Sequence, residues 1–151
     1  MVWRSLIVLL FAGVLLAPVH GWCGADTQRE PLTIRTSAGA HDFRVELATT
    51  NDQQATGLMY RRKMAADAGM LFVYPSDAPV SMWMKNTFIP LDMFFIGSDG
   101  RITHIAERTV PQSIELIGSN GPVRAVLELN GGTASRLGIK PGDRVIHRLF
   151  R

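Results

Sequence analysis

The sequence predicts a mostly β fold of the α+β kind: a strongly bent antiparallel sheet or partly closed barrel, with one or two short helices covering an end. Three observations predict it. Past the first 25 residues the hydrophobic pattern repeats every second residue, strand-like runs outnumber helical ones, and clusters of Gly, Pro, Asp and Ser separate the runs. With 151 residues, 46% of them hydrophobic and 19% charged, the chain suits one compact domain rather than a disordered tail or a multidomain assembly.

Each element follows from its local pattern. Residues 32–37 (LTIRTS) and 43–49 (FRVELAT) flank a stretch of small and polar residues, and Phe43, Val45 and Leu47 alternate with Arg44 and Glu46, so an antiparallel pair opens the fold. Thr50 followed by Gln53 is a capping box that starts a short helix at Asn51, and Gly57 stops it near Thr56. A second, weaker helix is expected over residues 62–68. Residues 70–74 (MLFVY), 80–86 and 91–97 are strand-like, the first two separated by the turn Pro75-Ser76-Asp77-Ala78-Pro79. Ser98-Asp99-Gly100 makes a tight hairpin turn into a strand over residues 101–107. A strand over residues 123–130 (VRAVLELN) is broken by Gly131-Gly132, and residues 133–137 form a helical turn or two that Gly138 ends. Pro141-Gly142 has the order a type II turn needs, and it launches the last strand over residues 144–150. Residues 109–122 are one long irregular stretch, read as a candidate functional loop.

Residues 1–25 follow a different grammar. Arg4, an almost wholly apolar run over residues 5–17, Pro18 and then small residues are the layout of a cleaved secretory signal peptide. Cleavage is expected after Ala25, with Gly21 as the other fitting point. The alternative is an uncleaved anchor in the inner membrane, although roughly 15 apolar residues fall short of the roughly 20 that span a bilayer. Trp22 stands before Cys23 where lipoprotein processing wants a small residue, so lipidation is not expected. A secreted or periplasmic location follows, with membrane contact only through an uncleaved leader.

Cleavage removes one of the 16 basic residues and none of the 13 acids, which takes the net charge from +3 to +2. The basic residues are scattered, so no nucleic-acid footprint is visible. The leader also carries the one Cys, which leaves the rest without a disulfide, a thiol nucleophile or a zinc–thiolate site. About 126 residues remain, enough for a single β-rich domain over residues 26–151.

A run of motifs carries a family resemblance. GLMYR (57–61), GMLFV (69–73), WMKNT (83–87), IPLDMFF (89–95), DGRI (99–102), VLELNGG (126–132) and Gly142-Asp143 occur in one order across roughly residues 45–145. In this the chain resembles domain-of-unknown-function family 192, a set of small, often exported prokaryotic domains. The resemblance implies a β-rich single domain at the bacterial envelope; it brings no established reaction.

The richest segment for chemistry is a hairpin expected between residues 80–86 and 91–97, closed by Thr87-Phe88-Ile89-Pro90. That register opposes Lys85 to Asp92, Met84 to Met93 and Trp83 to Phe94. Met82, Met84, Met93 and Phe95 then share an apolar face, while Ser81, Trp83, Lys85, Asp92, Phe94 and Ile96 share the other. Lys85 and Asp92 can be a cross-strand ion pair that fixes register. The other reading has them hold a small polar or anionic ligand, with Trp83 stacking on it, Arg61 arriving from the loop after Gly57, and Asn86 adding a hydrogen bond. Glu128, between Leu127 and Leu129, faces away from the leucines with Val126. It is read either as neutralising Arg61 or Arg124, or as one half of an acid/base pair with Asp92.

The remaining searches are negative. Met82-x-Met84 with Met93 could offer thioethers to Cu(I), but methionines also fill irregular cores, and no metal site is assigned. His41, His104 and His147 are isolated turn or strand-surface residues. No nucleophile elbow, phosphate loop or dinucleotide fingerprint occurs, so no cofactor is expected. The functional expectation is an exported binding or accessory module for a small polar or anionic ligand, with Arg61, Trp83, Lys85, Asn86, Asp92 and Glu128 as candidate binding residues. The alternatives are a hydrolase or lyase using Asp92 and Glu128, or a structural partner of another envelope protein through the loop 109–122.

Overall fold

The computed structural model describes residues 29–150, so the expected leader and Cys23 lie outside the described residues. Seven strands and two short helices follow one another as β1 (Glu30–Thr36), β2 (Gly39–Ala48), α1 (Asn51–Thr56), β3 (Ala68–Met82), β4 (Leu91–Ile96), β5 (Ile102–Ala106), β6 (Ile117–Asn130), α2 (Thr133–Leu137) and β7 (Arg144–Ile146). They form one sheet in the order β5-β4-β6-β3-β2-β1-β7. Every neighbouring pair is antiparallel except β2 and β3, whose parallel pairing is allowed by the crossover through α1 and residues 57–67.

The sheet curls until its two edges meet. Arg101 bridges to Arg144, Ile102 donates its N–H to Asp143 O at 2.9 Å, and Val145 donates to Gly100 O at 2.8 Å. Gly100 is required at this seam, because its φ is +80° and a Cβ there would stand 2.7 Å from Val145 O. The interior of the curl is filled by Leu32, Ile34, Phe43, Val45, Leu71, Phe94, Ile96, Ile102, Leu127, Leu129 and Val145, a cluster fed by all seven strands. This is the partly closed β barrel the sequence predicts, with β4 buried along its whole length.

A second apolar cluster lies on the outer face of the central strands, where Met70, Phe72, Leu91, Met93, Phe95 and Val126 are covered by Leu58 and Met84. Helix α1 lies beside it, with Gln54, Ala55 and Thr56 near Phe72 and Tyr74. Its Thr50 cap carries both bonds of the capping box, and Gln54 donates to Val73 O at 2.8 Å, tying the helix to β3. Gly57 ends the helix with φ +47°, and a Cβ at that position would stand 3.0 Å from the Phe72 ring.

Several local expectations are corrected. Residues 62–68 form no helix; the chain there makes turns and enters β3 at Ala68. The Pro75–Pro79 stretch does not divide two strands, because β3 runs through it with a register shift between Val73 and Ala78 against β6. Strand β6 starts at Ile117 rather than Val123, so only the first half of the expected loop 109–122 is irregular. The last strand is cut to three residues.

The main correction concerns the hairpin between residues 80–86 and 91–97. Residues 83–90 are loop, and β4 pairs instead with β6 (Leu91 with Asn130, Asp92 with Leu129, Met93 with Glu128) and with β5. A strand that is apolar on both faces needs a neighbour on either side and a cover over each face. The long β6 supplies the inner neighbour, and the loop 83–90 becomes part of the outer cover, with Met84 N donating to Ser113 O at 3.0 Å.

Candidate functional site

Strand alternation builds the site from β6. Leu127 and Leu129 turn into the barrel, so Val126 and Glu128 turn outward beneath the cover. Glu128 lies across from Met70 on β3 and Met93 on β4, two side chains with no hydrogen to donate to a carboxyl. Above it is a cavity of about 180 Å³. Phe72 and Tyr74 of β3, Leu58 and Met59 after α1, and Met82, Trp83 and Thr87 line it, with Trp83 the exposed one of the loop residues.

Glu128 is only 4% exposed, and among the described residues its carboxyl meets neither a hydrogen-bond donor nor a basic side chain. Burial alone pushes its pKa up to about 8, so the acid holds its proton at neutral pH. Tyr74 is pushed up to about 12, first by burial and then by the charge of Glu128, and its hydroxyl faces Met82 Sδ at 3.5 Å. Trp83 is 43% exposed, and Lys85 Nζ lies 5.1 Å from the centre of its ring.

The six residues singled out from the sequence separate into different environments. Trp83 and Glu128 share the cavity. Arg61 instead forms a bidentate pair with Glu46, at 2.7 and 2.6 Å, and its guanidinium holds that buried carboxyl below the usual carboxylate range. This overturns the reading of Glu128 as neutralising Arg61. Arg124 is no partner either, since it donates to Pro75 O at 2.6 Å. Asn86 takes a left-handed backbone, φ +57°, and donates to Tyr60 Oη at 2.9 Å.

Asp92 is the sharpest departure. It is fully buried inside the barrel and accepts three backbone N–H bonds, from Arg108, Gly132 and Ala134, each at 2.8 Å. With its oxygens committed to the loop after β5 and to the start of α2, it is a structural acceptor and does not pair with Lys85. It also cannot act with Glu128: residues opposed across an antiparallel pair share a face, so Asp92 goes with Leu129 to the interior while Glu128 goes with Met93 to the outside. His147 is likewise not a surface residue; it is buried with Nε2 3.2 Å from Glu30 Oε2, and burial lowers its pKa.

Sequence reasoning missed Tyr74, Leu58 and Met59 as cavity walls. One signal was present, since Met70, Phe72 and Tyr74 alternate onto one face of β3. That face meets Glu128 only through the β3–β6 pairing, which joins residues more than fifty positions apart.

The comparisons agree with this architecture. The profile of the domain-of-unknown-function family 192, described as an uncharacterized ACR, matches residues 33–147. The chain belongs to the DUF192 family. Among solved structures, one from Sinorhizobium meliloti, described provisionally as a transcription regulator, is 54% identical with a TM-score of 0.77; the match covers 78% of this chain and 92% of that one. Another, a protein of unknown function from Novosphingobium aromaticivorans, is 44% identical with a TM-score of 0.78, covering 87% of this chain and 91% of that one. No curated protein matches the chain. Three of the segments singled out in the sequence meet at the site: VLELNGG carries Glu128, WMKNT carries Trp83, and GLMYR supplies Gly57, Leu58 and Met59.

Proposed function

We propose that this DUF192 domain is an exported cell-envelope binding or accessory module that receives a small polar group in the cavity above Glu128. One observation carries the reading: a buried carboxyl without a partner among the described residues lies at the base of a cavity with aromatic walls. An unpaired acid in such a place costs folding free energy, and a cost of that kind is retained where a ligand uses it. An anionic ligand loses support, because the cavity lining holds no basic side chain, its one carboxyl can only become negative, and Arg61 is held by Glu46. The export half of the reading rests on residues 1–25 of the sequence.

Thermal-shift measurements on the chain with saccharides, short peptides and amines test the binding half. The expected result is a rise in Tm with at least one class, abolished in Trp83→Ala; no rise with any class overturns it. Cell fractionation tests the other half, with the chain expected outside the inner membrane and shortened by the leader.

A second reading, a structural partner of another envelope protein, is favoured by Val110, Ile114 and Leu116, apolar side chains 69%, 73% and 71% exposed in the loop before β6. Co-purification with a protein that is lost on replacing Ile114 and Leu116 by Ser supports it. The enzyme reading with Asp92 and Glu128 has no geometric support, since the two acids lie on opposite faces of the sheet.

A further inference from the structure

Three buried acids occur among the described residues, and they differ in how they are compensated. Glu46 has the Arg61 guanidinium, Asp92 has three N–H donors, and Glu128 has neither. The walls around Glu128 are the rings of Tyr74, Phe72 and Trp83 and the side chains of Met59 and Met82, with no Lys, Arg or His among the lining residues. Such a surface disfavours anions and suits cations, because the aromatic π faces and the Glu128 carboxyl, once it ionises, carry the same sign of charge toward a guest. The chain itself shows the attraction at one of these rings: the Lys85 ammonium has settled 5.1 Å from the centre of the Trp83 ring.

We propose that the Glu128 cavity takes the head of an organic ammonium ion, its N–H groups donating to the Glu128 carboxylate between the rings of Tyr74 and Trp83. This rests on the ligand-binding reading above and gives that ligand its chemical class. The volume, about 180 Å³, is smaller than the roughly 300 Å³ at which sites for drug-sized molecules begin, so it admits an alkylammonium end rather than a whole sugar ring. The proton balance is fixed. Below pH 8 the acid is protonated, so capture of the ammonium ion releases the carboxyl proton to solvent. Tyr74 is the one other titratable side chain lining the cavity, and it stays a neutral phenol throughout.

Isothermal titration of the full chain with n-butylammonium chloride, against the neutral n-pentanol, tests the assignment. n-Butylammonium is expected to bind at least about tenfold more tightly than n-pentanol, with affinity rising about tenfold per pH unit from pH 6 toward 8 and one proton released. Glu128→Gln is expected to lose the preference for the cation. Lys85→Met, which removes the competing ammonium from the Trp83 ring, is expected to tighten binding a few-fold. If Glu128→Gln does not fold, the pH slope and the proton count of the unaltered chain decide the matter by themselves.

Equal binding of both probes with no pH slope overturns the ammonium assignment and leaves the cavity a binding site. No binding of either probe, together with no thermal shift from saccharides or peptides, overturns both readings. A blocked lysine, Nα-acetyl-lysine N-methylamide, separates the sources: tighter binding than n-butylammonium points to a lysine side chain of a polypeptide, and weaker binding to a free amine.

Discussion

Asp92 and Glu128 are buried acids on adjacent strands of one sheet, and their surroundings are opposite. Asp92 faces the barrel interior, where turns converge on it and present three N–H groups at 2.8 Å. Glu128 faces the outer side, where Met70 and Met93 lie across from it and the cover leaves a cavity. A carboxyl with donors around it fastens loops together. A carboxyl without them is a liability to the fold, and it is available to whatever enters from outside. Burial alone therefore does not mark a functional acid; in the proposed reading, burial without compensation next to a cavity does.

The comparison breaks most severely at Asp92. Asp92→Ala strips the acceptor from three backbone N–H groups at once and is expected to cost about 5 kcal/mol, enough to unfold a domain of ordinary stability. Urea denaturation of that variant, followed by tryptophan fluorescence, measures it. Loss of less than about 2 kcal/mol would show that water replaces the carboxylate.

Glu128 is expected to behave in the opposite sense. Its folded pKa of about 8 lies above the ordinary 4.5, so between these values the native chain holds a proton that the unfolded chain has released. Its contribution therefore erodes stability as pH rises from about 4.5 to about 8, by on the order of 4–5 kcal/mol across the window. Glu128→Gln removes that slope and is expected to be more stable than the unaltered chain at pH 8, by denaturation at pH 5, 6, 7 and 8. A parallel pair of pH profiles would show that Glu128 is ionised and compensated in the native state.

Glu46 lies between these extremes. Arg61→Ala leaves its buried carboxylate with only the more distant Arg29, at 3.5 Å, and is expected to cost about 2 kcal/mol, discounted because Arg61 is itself partly exposed. The pairing lowers the pKa of Glu46, so its stabilisation is full above the ordinary carboxylate range and is lost as pH falls through the depressed value. Denaturation at pH 3 and pH 7 is expected to show a cost for Arg61→Ala that shrinks in acid.

The smallest effect is expected at the cavity wall. Gly57→Ala adds a Cβ 3.0 Å from the Phe72 ring at a φ of +47°, at a cost of about 1–2 kcal/mol. If the ring shifts toward Glu128 in response, amine binding weakens more than stability does, a split that titration and denaturation together resolve.

Much of this was legible residue by residue. Thr50 and Gln53 announce the capping box, Gly57 the stop and Ser98-Asp99-Gly100 the turn, because caps and turns are settled by neighbours within four positions. Alternation also put Glu128 and Val126 on the face away from Leu127 and Leu129, where they lie. The pairing of residues 80–86 with 91–97 misled because proximity in sequence favours a hairpin, whereas Leu91–Ile96 is buried on both faces and takes β6 and β5 as neighbours. With that hairpin gone, Asp92 parts from Trp83 and Lys85, which keep each other's company, and Tyr74 enters the site from a strand the sequence did not connect to Glu128.

By itself the sequence determined the β-rich class, the two short helices that form and the side to which Glu128 and its neighbours on β6 turn, since period two and local turn chemistry act within a few residues. Only the tertiary structure decided which strands meet, and with that which acid finds donors. Asp92 is answered by Gly132 and Ala134, forty positions and more along the chain, and Glu128 by nothing among the described residues. Partners so far apart are chosen by closure of the sheet and burial of both faces of β4, a choice no local pattern encodes.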